Sequence, residues 1–295
     1  MSEEKPNIND SMKPAETEKP MLSWSQLNMF NTCGERYRRR YILGEIIPPG
    51  IAMIVGSGVD GGVNANMKKK RDEKVLLPKE QVVDIAVEEF KKKWEKEGVV
   101  LDPDEKALGL KAAKGQAIDR TSVLTALHCD TFAKEINPTH VQRRMKVILN
   151  GFPYDLLGYI DIQEGTIRVR DTKAKAKSMS QADADSDDQM TMYALMGKVV
   201  DGKIPDECCL DVLVSTKVPK RVPLVTKRTD EQFKPFIRRI ENMIVSLQKG
   251  VFTPCPESFW GCSPKYCGYW PTCQFVKKPV SVSVPAEIQT DDKPE

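Results

Sequence analysis

The sequence predicts an α/β or α+β architecture around one mixed β-sheet, and three observations carry that expectation. Strand-like runs gather in the middle of the chain, at 141–149, 154–163 and 166–172, with two more at 210–216 and 221–227. Helical periodicity fills the chain before, between and after them. With 295 residues, 40% hydrophobic and 29% charged, the chain is long and apolar enough for a substantial core.

The elements follow in order. Residues 1–20 and 279–295 are polar and proline-bearing, and both read as disordered tails. Ser23 or Ser25 can cap an opening helix whose apolar face is Leu27, Phe30, Tyr37 and Tyr41. After a Pro48-Pro49-Gly50 turn, 54–70 (IVGSGVDGGVNANMKKK) reads as a glycine-loosened helix or loop-to-helix segment. Amphipathic helices are expected at 79–97 and about 105–135. The first three strands form a meander. A helix from Asp188 to about Val200 then places Gln189 and Tyr193 one turn apart on one face. Asp230 is expected to cap a last long helix to about Lys249, and no internal repeat is present.

Net charge is only +3, so overall charge names no partner. Two local clusters, Arg36 with Arg38–Arg40 and Lys68–Arg71, are basic, and each reads equally as a solvated helix face. No apolar run approaches the length of a membrane span, and MSEEKPNIND lacks the form of a signal peptide. The expectation is a cytoplasmic protein with no membrane partner, in which eight cysteines do not form disulfides. Cys129, Cys208 and Cys209 lie in periodic apolar segments and read as core. Cys255, Cys262, Cys267 and Cys273 crowd near the C-terminus, which suggests ligation of a metal or cluster.

The chemistry concentrates in GYIDIQEGTIRVRDTKA, from Gly158 to Ala174. It reads as a hairpin about a Glu164-Gly165 break, carrying Asp161, Asp171 and Lys173 in its strands. Charges are depleted from central strands, and a divalent cation held by the carboxylates would account for these. The alternative is a surface hairpin with scattered charges. Register matters here: a two-residue turn pairs Asp161 with Arg168 and sends Asp171 to the opposite face. A cation shared by both aspartates requires an odd-length loop or a bulge, expected near Gly165 or at Asp161. Lys175 and Lys177 extend the alternation past Lys173 and read as linker lysines or a phosphate track.

Taken together, GYID, the Asp171-Thr172-Lys173 triplet ten residues beyond Asp161, and QMTMYA resemble the PD-(D/E)XK nuclease superfamily. The likeness is greater to its RecB-like branch of phage exonucleases and CRISPR-associated RecB-like exonucleases. The opening SWSQLNMFNTCGERYRRRYI is also similar to that family's first motif, and the likeness spans about Leu22 to Cys273. It implies a restriction-endonuclease-like core with a central mixed sheet flanked by helices, closed by a cysteine-rich C-terminal clasp. It implies Mg2+ or Mn2+ on Asp161, Asp171 and the Thr172 carbonyl, with Lys173 assisting the attacking water. Gln189 and Tyr193 would support the site and contact DNA. Asp60 stands where many relatives carry a metal-binding histidine, so it would be a further ligand, a helix cap or a mark of lost activity. His128 and His140 fit no motif and read as surface or satisfied core residues.

The resemblance divides the chain into a nuclease domain at 21–278: a helical part (21–140), a catalytic core (141–250) and a cysteine-rich segment (251–278). It implies a 4Fe-4S cluster on Cys33, Cys262, Cys267 and Cys273, although the C-terminal spacing is wider than the family's usual start. Zn2+ is the alternative, with Cys255 replacing Cys33, and uncoordinated thiols are a third. Trp260, Tyr266, Tyr269 and Trp270 are expected to pack around this knot. The activity implied is metal-dependent hydrolysis of DNA, as an exonuclease in phage or bacterial recombination, repair or replication, beside proteins of those processes. A DNA-binding or assembly protein that kept the fold and lost its metal is a second reading, and a zinc-knotted protein with no nuclease role, its hairpin charges incidental, is a third.

Overall fold

The computed structural model describes residues 19–277. The tails expected to be disordered lie outside them, except Lys19 and Pro20, which are tied to the sheet. The Pro20 carbonyl accepts from the Asp155 N–H at 3.1 Å, and Lys19 Nζ stands 3.5 Å from the Asp155 carboxylate.

Six strands form one mixed sheet: β1 (Met21–Ser23), β2 (His140–Val147), β3 (Asp155–Glu164), β4 (Arg168–Lys175), β5 (Glu207–Val214) and β6 (Lys220–Thr226). Their order is β1-β3-β4-β5-β6, with β2 also on β3. The β1–β3 and β4–β5 pairs are parallel and the others antiparallel. A parallel pair needs a long crossover, here supplied by α8 (Gln181–Asp185) and α9 (Asp188–Val200). Seven of the eight residues of β5, ECCLDVLV, are buried, because helices cover both faces of the sheet.

One face is covered by α1 (Trp24–Thr32), α9 and α10 (Asp230–Lys249), which pack on Leu156, Ile160, Val169, Leu210 and Val212. The other is covered by α3 (Ile51–Glu73), α4 (Lys79–Glu97) and α6 (Leu110–Asp130), which enclose Val141, Ile162 and Leu213. The glycines of α3 do not loosen it. A Cβ at Gly58 would stand 2.9 Å from the Ala86 carbonyl, and one at Gly62 2.8 Å from that of Val82. Glycine is what lets α3 and α4 approach backbone to backbone.

Two long helices expected from periodicity are interrupted. The opening helix starts as expected, with Ser23 and Gln26 forming a capping box. It stops at Cys33, which is extended (φ −161°, ψ 108°), and resumes as α2 (Gly34–Tyr37) and a π-helical turn over Arg38–Ile42. The cause is tertiary: the Gly34 N–H donates to the Thr253 carbonyl at 2.7 Å, where a Cβ would collide with that backbone. The 105–135 segment divides into α5 (Pro103–Leu108), α6 and α7 (Phe132–Glu135), because Gly109 (φ 87°) and Thr131 break the ladder. Strand β1 has no counterpart in the sequence reading, since three residues are too few to show alternation.

Candidate active site

Strands β3 and β4 pair over only three positions: Ile162 with Arg170, Gln163 with Val169, and Glu164 with Arg168. Their connection is not the expected two-residue turn but a three-residue loop, Gly165-Thr166-Ile167. Gly165 takes φ 58° and the Ile167 N–H returns to the Glu164 carbonyl at 3.2 Å. Ile167 is therefore an exposed loop residue, although the sequence reads as strand over 166–172. The odd loop length shifts the register, so that its continuation would set Asp161 opposite Asp171 rather than opposite Arg168.

At that point the strands part. β4 continues beside β5 from Arg168 to Lys175, while the β4-side edge of β3 is next occupied by β1, at Asp155–Leu157. Helix α9 closes over the gap. A Cβ at Gly158 would lie 2.5 Å from Met196 Sδ, so glycine sets how near the helix comes. The Tyr193 hydroxyl donates to the Tyr159 carbonyl at 2.7 Å, on a stretch of β3 that neither β1 nor β4 pairs.

A bend also lies at Asp161 itself. β2 pairs β3 at Val141–Ile162 and Arg143–Ile160, but the intervening pair of Gln142 with Asp161 is missing. Gln142 adopts φ 52°, and its Nε2 donates to Asp161 Oδ1 at 2.9 Å. Both strands change cores across this point: Val141 and Ile162 belong to one, Met145 and Ile160 to the other. Ideal alternation would keep each pair on a single face.

The Gln189 amide organises the remaining groups. Its Nε2 donates to Asp171 Oδ1 at 2.8 Å and to the Tyr193 hydroxyl at 2.7 Å, and its Oε1 accepts from Lys173 Nζ at 2.7 Å. Both donors and the acceptor are used, which fixes the orientation of the amide. Gln189 holds its place because Asp187 caps α9, accepting the Met190 N–H at 3.0 Å. Buried Arg228 braces the same helix start, donating to the carbonyls of Ala184 and Asp187, each at 2.9 Å.

Three carboxyls share this pocket. Burial, reinforced by the charge of Asp171, pushes the Asp60 carboxyl up to about 7. Burial and then the charges of Asp171 and Asp60 raise Asp161 well above the carboxylate range. Asp171, 2% exposed, is raised by burial against the pull of Lys173. Lys173 moves the other way: burial opposes its charge, but Asp171, Asp187 and Asp161 together outweigh it and raise its pKa. It is an ammonium, 2.6 Å from Asp171 Oδ2.

Among the described residues, no three or more His, Cys, Asp or Glu side chains are arranged to hold a metal ion. The local chemistry nevertheless fits a hard cation. Three acids that repel one another, Asp171 buried and Asp60 and Asp161 half-buried, need positive charge or protons. Asp171 Oδ2 and Thr172 Oγ1 are buried without a well-formed hydrogen bond, Asp171 Oδ2 despite the near ammonium. Oxygen donors of this kind suit Mg2+ or Mn2+.

The description PD-(D/E)XK nuclease superfamily matches residues 21–274, nearly the whole described chain. The chain belongs to the PD-(D/E)XK nuclease superfamily. Its mixed sheet flanked by helices is consistent with the restriction-endonuclease-like fold. A solved structure from Eubacterium rectale, named "Putative exonuclease", is similar in fold with a TM-score of 0.55 and 16% identity. That likeness covers 97% of this chain and 100% of the other. A second structure, of the protein SSO0001, is 12% identical over 81% of this chain and 94% of the other. Its TM-score is 0.34, and nothing rests on it. Among curated proteins none matches. As a superfamily member the chain is a nuclease by kinship, and PD-(D/E)XK nucleases typically use Mg2+ or Mn2+.

Within this nuclease fold Asp161, Asp171, Lys173, Gln189 and Tyr193 come together, and Asp60 joins them from α3. Thr172 lies on the stretch of β4 that β3 has left. Gln142, Asp187 and Arg228 are also in contact with this group or brace it, and the sequence reading passed them over. Only Asp187, an Asp directly ahead of a helix, carried a signal, that of an N-cap.

The nuclease's cysteines divide as expected between core and cavity. Cys129, Cys208 and Cys209 are buried in the core. Cys33, Cys255, Cys262, Cys267 and Cys273 all line one cavity, with Arg36 and Arg39 at its wall. The Cys255 N–H points at Cys33 Sγ across 3.4 Å, and burial followed by Cys33 pushes the Cys255 thiol up to about 12. Cys255 thus lies beside Cys33 in this cavity. These sulfurs are the soft donors that a thiophilic metal takes, although no three of them are arranged as a metal site among the described residues.

Arg39 ties this segment to the opening helices. It pairs with Glu45, donates to the Tyr269 carbonyl at 3.2 Å and stacks 4.7 Å above the Tyr269 ring. That part of the basic cluster is a structural tie, not a solvated face. Tyr269 is buried, but Trp260 (70% exposed) and Tyr266 (52% exposed) stand edge to face in solvent, not packed around the knot. His128 departs from expectation too. It is buried with both ring nitrogens unpartnered, and burial pushes it down to about 3.

Proposed function

We propose that this protein is a metal-dependent deoxyribonuclease, an exonuclease of the RecB-like branch acting on DNA ends in recombination, repair or replication. The observation that supports it most is the meeting of Asp60, Asp161, Asp171 and Lys173 where β3 and β4 part. Asp161 and Asp171, with Asp60 and the Thr172 carbonyl, would hold Mg2+ or Mn2+. When bound, the cation lowers the pKa of a coordinated water and neutralises charge that develops on the phosphate.

The chain's own groups do the rest. Gln189 holds Asp171 and Lys173 in fixed relation through one amide, so neither must reorganise as charge develops. Lys173, kept as an ammonium by the acids around it, orients the attacking water and donates to the phosphate oxygens. Tyr193 anchors Gln189 to the strand.

The cysteine cavity is read as the seat of a 4Fe-4S cluster, with zinc as the alternative. Either would close the C-terminal segment onto α1. Iron and sulfide, or zinc, in stoichiometric amount in anaerobically purified protein distinguishes the two, and neither metal removes this part of the reading.

The test of the activity is degradation of end-labelled linear DNA with Mg2+ or Mn2+, wild type beside Lys173→Ala, with a closed circle as control. Cleavage of the linear form alone, lost in the variant, is expected. No metal-dependent cleavage removes the enzyme and leaves a DNA-binding or assembly protein. Cleavage of the circle replaces the exonuclease by an endonuclease.

A further inference from the structure

We propose that Gln142 is a positioning residue that holds the Asp161 carboxylate in its metal-binding orientation. The proposal rests on the metal-site reading above, and four features of β2 lead to it.

Gln142 is one of two non-glycine residues with positive φ among the described residues. The other, Lys74, is a helix C-cap, where the left-handed conformation is ordinary. Gln142 lies in mid-strand, where that conformation costs about 1 kcal/mol. It stands opposite Asp161 at the one position where the β2–β3 pairing lapses between two regular pairs. Its only hydrogen bond from the side chain goes to Asp161 Oδ1, at 2.9 Å.

A glycine could take the same backbone shape, and let both strands change cores, without the conformational cost. What the glutamine adds is a single donor. That donor is neutral, so it turns the carboxylate without competing for the charge that a cation would satisfy; a lysine or arginine would compete. The neighbouring Arg143 is directed away, to Asp201 at 2.8 Å and Gln163 at 2.7 Å. With Oδ1 engaged by Gln142, the Asp161 carboxylate is held where the charges of Asp171 and Asp60 act on it.

The purely structural role and the positioning role separate in Gln142→Gly, which keeps the bend and deletes the donor. The full-length protein is stripped of metal and titrated with MgCl2, following its thermal midpoint and its cleavage of linear DNA. Metal-free Gln142→Gly is expected to unfold at the wild-type temperature or a few degrees above it. Its half-saturating Mg2+ is expected to rise by about tenfold in both readouts, the loss typical of an outer-shell partner. Gln142→Asn, whose side chain tolerates the left-handed region but is one methylene short, should match it. Unchanged half-saturation in Gln142→Gly, with a wild type that does respond to Mg2+, overturns the proposal alone. A wild type with neither stabilisation nor cleavage overturns the metal reading and this proposal with it.

Discussion

The Tyr193 hydroxyl receives an N–H of Gln189 and donates to the Tyr159 carbonyl, both at 2.7 Å, and so joins the site to the gap where the sheet divides. Tyr193→Phe removes both bonds with little change of shape, leaving a strand carbonyl and an amide N–H unpaired at a position 4% exposed. The loss should be about 1–3 kcal/mol, measured by urea denaturation. Nuclease activity should fall as well, because Gln189 loses one of three anchors.

Lys173 touches Asp171 and Gln189 but supports no part of either core. Lys173→Ala should keep a near-wild-type circular dichroism spectrum, with a lower thermal midpoint in the metal-free protein because buried Asp171 loses its ammonium partner. Cleavage of linear DNA should drop by at least about 100-fold, the usual cost of losing a preorganised donor at a reacting centre. Substantial activity in this variant would separate Lys173 from the chemistry.

Asp60 predicts a pH dependence of the metal-free protein. Its folded pKa is raised to about 7 from 3.8, so its contribution to stability is fully present below pH 3.8 and is lost as pH rises through 7. Asp60→Asn is neutral at every pH. The variant should match wild type near pH 4 and exceed it near pH 8 by on the order of 2 kcal/mol, after discounting for solvent at the site. Adding Mg2+ should stabilise wild type increasingly as pH rises, and close that difference. A stability difference independent of pH between 4 and 8 would remove Asp60 from the cluster of coupled acids.

Gly34 seats the opening helices against the C-terminal segment, with its N–H 2.7 Å from the Thr253 carbonyl. A Cβ there would meet Thr253 N and O at 2.7 Å, and rigid backbone cannot yield as a side chain end would. Gly34→Ala should lower the thermal midpoint and part Cys33 from Cys255. The check is metal content: less iron or zinc per chain than wild type, whichever metal the wild type holds.

Much of this protein is local and was legible in the residues. Asp188–Val200, Lys79–Glu97 and Asp230–Lys249 are helices at the expected bounds, because periodicity acts within a turn or two, although Thr229 rather than Asp230 caps the last of them. The grouping of Asp161, Asp171 and Lys173 in a hairpin, with Gln189 and Tyr193 one turn apart, was likewise written in short spacings.

What the tertiary structure alone decided is everything that depends on a distant partner. Apolar residues two apart say that a strand has a face, but not which of two cores that face meets. Val141 and Met145 stand at an even spacing yet pack on opposite sides, since Gln142 twists between them. The register of β3 on β4 turned on one extra loop residue. The break at Cys33 came from a contact with Thr253, more than two hundred positions away. Asp60 could be placed beside Asp171 only when α3 had packed, through its glycines, against its neighbours. Local propensity chose the elements, and long-range packing chose which carboxylates share one pocket.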